Sequence, residues 1–103
     1  MIPVAADAEQ ALAIIRSHPD GTVVDVRDEE EYITGHLADA VLLPVDEISA
    51  ETAAEALPDQ SSPVLVYCKT GKRSRAAAEK LAALGYSELY DLGGLGGWPY
   101  GLE

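Results

Sequence analysis

A chain of 103 residues has room for one compact domain and not two, and no apolar run approaches the roughly 18 residues of a membrane span. Its net charge of −11, from 18 acidic against 7 basic residues, argues against nucleic acid or a membrane surface as partner, since either needs Lys and Arg to neutralise phosphates. A single cysteine leaves no internal disulfide, and one Cys with two His cannot assemble a structural zinc site of four N/S ligands.

The start, Met1-Ile2-Pro3, lacks the basic and apolar regions of a signal peptide. A cytoplasmic protein folded as one domain over residues 1–103 is the expectation, with no metal and no cofactor.

Asp7 is placed as a helix N-cap, with Gln10 at capping-box spacing and Ala8, Ala11, Leu12 and Ile15 on one face. His18-Pro19-Asp20-Gly21 ends that helix, which makes His18 a solvated helix end. Residues 22–26 form a β-branched run, apolar enough for a parallel strand buried on both faces. Asp28 to Tyr32 predicts a short helical turn, with Glu29-Glu30-Glu31 as a solvated face. A second strand is expected at 40–43, stopped by Pro44, and Ser49 caps a helix to about Ala56.

Residues 63–67 are the strongest strand, followed directly by Cys68-Lys69-Thr70-Gly71-Lys72-Arg73-Ser74. A helix from about Ser74 to Leu84, stopped by Gly85, and a strand at 89–92 complete the pattern. Strands alternating with helices predict an α/β fold with a mainly parallel sheet, whose sites gather at the carboxyl ends of strands. Cys68 sits at such an end.

A thiol becomes a nucleophile when its thiolate is stabilised. The Cys68 loop feeds a helix N-terminus, which offers free N–H groups and partial positive charge. Gly71 permits the curvature that turns successive amides inward as an anion nest. Four of the seven cations, Lys69, Lys72, Arg73 and Arg75, lie in this stretch. Such a cradle suits an oxyanion or a cysteine persulfide. The alternative is that Cys68 is a small buried hydrophobe and the cations are a solvated helix start. Cationic charge disfavours a helix N-terminus, so that alternative fits Arg73 poorly.

Val66-Tyr67-Cys68-Lys69-Thr70-Gly71-Lys72-Arg73-Ser74 resembles the active-site loop of rhodanese-domain sulfurtransferases. Residues 24–27, then Glu31-Tyr32-x-x-Gly35-His36-Leu37, Ala40 and Pro44 resemble that family's upstream signature, and Gly93-Gly94-Leu95 with Trp98 its closing segment. The resemblance implies a five-stranded, mostly parallel sheet flanked by helices on both faces. It implies Cys68 as the sulfur-accepting nucleophile, with Lys69, Thr70, Gly71, Lys72, Arg73 and Ser74 binding the substrate sulfur through their backbone amides. The implied donor is a small anion such as thiosulfate, and the acceptor cyanide or a thiol. A protein donor or acceptor stays open.

Ring length separates neighbouring chemistries. Cys68 to Arg73 is Cys-x4-Arg, whereas the related phosphatases use Cys-x5-Arg, and Ser74 stands where theirs needs arginine. A shorter ring fits sulfur better than tetrahedral phosphate. Two rivals to sulfur transfer remain: a carrier fed by a partner desulfurase, and arsenate or phosphate chemistry. Asp25 with Arg27, and Glu31 with His36, read as structural pairing or capping groups, and Trp98 as a core plug near the site. Leu102-Glu103 is compatible with a cloning remnant.

Overall fold

Local signals place most of the elements. In the computed structural model, which describes residues 3–103, Asp7 caps α1 (Ala8–Ser17) through a capping box with Gln10, and Asp28 does the same for α2 (Glu29–Thr34) with Glu31. Ser49 caps α3 (Ala50–Ala56), its partner in the box being Thr52. Each box satisfies amides that a helix start leaves without partners.

The strands are β1 (Val4–Ala5), β2 (Thr22–Asp25), β3 (Val41–Leu42), β4 (Val64–Cys68) and β5 (Leu89–Gly94). They form one sheet in the order β1-β5-β4-β2-β3, and all four pairings are parallel. The α/β expectation holds, with helices on both faces. β1 had no signal of its own: two exposed residues acquire their pairing only from Tyr90 and Asp91.

Alternation along the central strands sorts the core. Val24, Val26, Val64, Val66 and Cys68 face α3 and α4 (Lys72–Ala83), where Ala53, Ala77, Ala78 and Leu81 meet them. Val23, Leu65 and Tyr67 face the other way, against Ala11, Leu37 and Ala40. Fully buried leucines such as Leu65 and Leu81 each contribute about 1.5–3 kcal/mol of transfer free energy.

Of the boundaries that move from the expectation, three lie around the site. β4 runs one residue further and takes in Cys68. α4 starts at Lys72, because Gly71 at φ +98° acts as its N-cap. β5 extends to Gly94, past a register irregularity in which Leu92 is the extra residue: Val66 pairs with Asp91 but Tyr67 with Gly93. At the other end, Glu103 and His36 exchange backbone hydrogen bonds of 2.7 and 3.1 Å, so Leu102-Glu103 lies against the segment after α2.

Candidate active site

Cys68 is fully buried at the carboxyl end of the central strand β4 and is followed by exposed Lys69 and Thr70. The Gly71 amide donates to its Sγ at 2.9 Å. Gly71 then takes the left-handed conformation, which an L side chain rarely adopts and which turns the following chain into α4. Gly94 closes the loop from behind. A Cβ there would stand 2.5 Å from the Lys69 carbonyl oxygen, so only glycine allows β5 to approach so closely.

Burial pushes the Cys68 thiol up. The Ser74 amide and hydroxyl, with the Gly71 and Thr70 amides, more than offset this, and the thiol lies below its ordinary value of 9.0. The stabilisation comes from main-chain and hydroxyl dipoles, which need no reorganisation when charge appears.

The Ser74 hydroxyl has competing partners. It approaches Asp91 Oδ1 at 2.7 Å and the Gly71 carbonyl at 3.0 Å, and its one proton is shared between them.

The cations divide. Lys69, Lys72 and Arg75 are exposed around the loop. Arg73 is not a free member of that rim. Its guanidinium makes a fork to Glu31, Nη1 to Oε1 at 2.7 Å and Nη2 to Oε2 at 3.0 Å. This bond, supported by the Asp28 amide, holds the Glu31 carboxyl down at about 2, and Glu31 in turn raises Arg73. Of the predicted acidic face only Glu29 and Glu30 are exposed; Glu31 ties α2 to the loop. The pairing also explains how Arg73 tolerates a helix N-terminus.

On the opposite face of the sheet, Asp25 and Arg27 form the structural pair the sequence suggested, with Nη2 to Oδ2 at 2.6 Å. The Tyr67 hydroxyl donates to Asp25 at 2.7 Å and accepts from the Leu37 amide at 3.1 Å, while Arg27 reaches the Gly35 carbonyl at 2.7 Å. His36 stacks on Tyr32 at 3.9 Å between centroids, also a structural contact. Trp98 packs half-buried beside a cavity of about 220 Å³ that Leu37, Tyr67, Leu92 and Leu95 also line. This cavity lies on the Tyr67 side of the sheet, away from the Cys68 side chain.

The residue that sequence reasoning missed is Asp91. Its route to Ser74 is set by its pairing with Val66 in the sheet, which no local pattern announces. Among the described residues no helix is long and apolar enough to cross a membrane, and no cluster of three or more His, Cys, Asp or Glu could hold a metal ion.

Residues 7–99 match the family description Rhodanese-like domain. The chain is 38% identical over 88 residues to the thiosulfate sulfurtransferase PspE of Escherichia coli, covering 82% of this chain and 84% of that one. It is 38% identical over 80 residues to the thiosulfate sulfurtransferase GlpE of Coxiella burnetii, 77% and 72% of the two chains. Among solved structures, a rhodanese with anions from E. coli superposes with a TM-score of 0.72 at 35% identity, covering 77% of this chain and 92% of that one.

Proposed function

The chain belongs to the rhodanese-like domain family, and from that premise we propose that it is a sulfurtransferase, folded as a single domain, that uses thiosulfate as donor and Cys68 as nucleophile. The observation that carries the reading is the Gly71 amide on Sγ at 2.9 Å, within a loop whose dipoles bring the thiol below its ordinary range.

The first step is attack by the Cys68 thiolate on the outer sulfur of thiosulfate. A new S–S bond forms, the S–S bond of thiosulfate breaks, and sulfite leaves with its electron pair. Cys68 is left as a persulfide whose terminal sulfur is anionic. The loop amides from Lys69 to Ser74 are suited to hold that sulfur, because backbone N–H groups bind an anion without a counter-ion that would need displacing. A thiol or cyanide then attacks the terminal sulfur, and the Cys68 thiolate leaves. No general base is required in either step when the thiol is already ionised.

Because Sγ is covered, the donor sulfur reaches it only when its surroundings open. Lys69 and Lys72 at the loop surface favour a dianion at that point. Their placement supports a small anionic donor, and thiosulfate is the donor named in the relatives' activities.

The test is intact-protein mass spectrometry after incubation with thiosulfate. The expected outcome is a gain of one sulfur atom, reversed by cyanide or a thiol and missing in Cys68→Ser. No gain in the wild type would exclude thiosulfate and leave a carrier loaded by a partner protein. A gain that persists in the serine variant would remove Cys68 from the mechanism.

A further inference from the structure

The amide that meets Cys68 Sγ belongs to the peptide between Thr70 and Gly71, and that peptide rests on the end of β5. A Cβ built on Gly94 would stand 3.0 Å from Thr70 Cα, and one built on Gly71 would stand 3.6 Å from Gly93 Cα. Gly93 and Gly94 thus form a backbone shelf against the loop. Neither has a side chain with which to grip it.

Asp91 supplies the grip. Paired residues of parallel strands point to the same face, and Asp91 pairs with Val66, which shares its face with Cys68 two residues on. The carboxylate is thereby directed at α4. Its Oδ1 accepts from the Gly93 amide at 2.9 Å and from the Ser74 hydroxyl at 2.7 Å. One oxygen so joins the shelf to the first turn of the helix that the loop feeds. The Ser74 hydroxyl also lies 3.0 Å from the Gly71 carbonyl, and Ser74 is fully buried. Among the described residues no Lys or Arg forms an ion pair with Asp91.

We propose that Asp91 is a positioning residue for Cys68, clamping the Gly93-Gly94 shelf to the first turn of α4 so that the Gly71 amide stays aimed at the sulfur. The inference deepens the sulfur-transfer reading and rests on it for its catalytic meaning. Sγ is anionic at the start of the first half-reaction and again as it leaves in the second, and an aligned amide stabilises both states. The clamp does not use the charge of Asp91. It uses one acceptor oxygen in the right place, which an amide also offers and a longer carboxylate does not.

Other charges also bear on Cys68. Arg73 lies on the same loop, with Glu31 and Asp28 of α2 around it, and Lys69 and Lys72 are exposed at the rim. Arg75 and Glu79 of α4 line a cavity with Asp91. The 3-10 turn Val45–Glu47 packs Val45 against the Cys68 core cluster, with Asp46 and Glu47 exposed. All of these stay in place when Asp91 is replaced. Asp91→Ala and Asp91→Asn remove the same negative charge, so a difference between them reports the hydrogen bonds rather than the charge.

The experiment follows the rate of Cys68 alkylation by iodoacetamide against pH, together with kcat and KM for thiosulfate. It uses the wild type, Asp91→Ala, Asp91→Asn, Asp91→Glu and Ser74→Ala, each checked for folding by circular dichroism. The alkylation midpoint of Asp91→Ala is expected about one pH unit above that of Asp91→Asn, because a misaimed amide no longer stabilises the thiolate. In Asp91→Ala kcat falls by about tenfold to a hundredfold, while KM stays near the wild-type value because the rim lysines are untouched. Asp91→Asn keeps most of kcat. Asp91→Glu, with the charge retained and the oxygen displaced, loses it. Ser74→Ala removes one arm of the clamp and shows a smaller loss. Equal midpoints in Asp91→Ala and Asp91→Asn would overturn the proposal. So would an Asp91→Glu variant that matches the wild type while Asp91→Asn is impaired, since charge would then be the operative property. If Asp91→Ala does not fold, Asp91→Glu is compared with the wild type, whose charge it shares: a raised midpoint supports the clamp and an unchanged one overturns it. Alkylation needs no sulfur donor, so its outcome is independent of the mass gain with thiosulfate.

Discussion

Asp25 and Cys68 sit at the carboxyl ends of neighbouring strands, on opposite faces of one sheet, and each is fully buried. One carries a negative charge and the other takes it readily, yet the two sites are held in different ways. Around Asp25 the donors are consumed: the Arg27 guanidinium and amide and the Tyr67 hydroxyl all end on its carboxylate. Burial and the bond to Asp25 together push the Tyr67 phenol far above its usual value, which keeps that proton in place. Around Cys68 the donors are backbone amides and a shared hydroxyl, with the strongest nearby cation, Arg73, bound elsewhere. A closed ionic network fixes β2, β4 and the segment after α2 relative to one another. A half-closed cradle of dipoles is left to bind something. The same end of one sheet thus hosts a strut and a reaction centre, distinguished by whether the donors are used up.

That contrast can be broken most severely at the strut. Asp25→Ala leaves Arg27 buried without its partner and is expected to cost about 3–5 kcal/mol of stability, read by urea denaturation. A small loss would mean that the network is not structural. Gly94→Ala should act on the reaction centre instead. Its Cβ collides with the Lys69 carbonyl and moves the amides, so transfer should fall on the order of a hundredfold in a protein that still melts cooperatively. Full activity in that variant would show that the loop does not depend on its support by β5.

Tyr67→Phe removes one donor to Asp25 and is expected to cost about 1–3 kcal/mol, with the transfer rate per folded molecule unchanged. A selective loss of rate would join the two sites functionally. Glu31 links them by charge. Held at about 2 against an ordinary 4.5, its pairing with Arg73 contributes stability that is present above pH 4.5 and lost as the pH falls through 2. Glu31→Gln should flatten the acid limb of the stability profile, and an unchanged limb would show that the fork contributes nothing. The smallest effects belong to the rim. Lys69→Ala and Lys72→Ala should each raise KM for thiosulfate by about two- to fivefold and weaken its salt dependence. Unchanged KM in both would mean that the rim does not attract the donor.

Much of this was legible in advance because the signals are local. Asp7 with Gln10, Ser49 as a cap and the β-branched residues 22–26 and 63–67 specify their elements within a few residues of themselves. The run from Cys68 to Ser74 announces an anion-binding strand–loop–helix junction through residue type alone. Three features stayed hidden: the short strand Val4–Ala5, the engagement of Arg73 by Glu31, and the arrival of Asp91 at Ser74.

The sequence by itself determined the alternation of strands and helices, the placement of Cys68 at a strand end and the glycine that bends its loop, since each follows from backbone preferences of neighbouring residues. Only the tertiary structure decided which charges are spent and which are free. Glu31 meets Arg73 across 42 positions and Asp91 meets Ser74 across 17, and such meetings are set by sheet order and strand register. Local propensity carries no information about register over that distance, and register is what assigned the donors to the strut or to the sulfur.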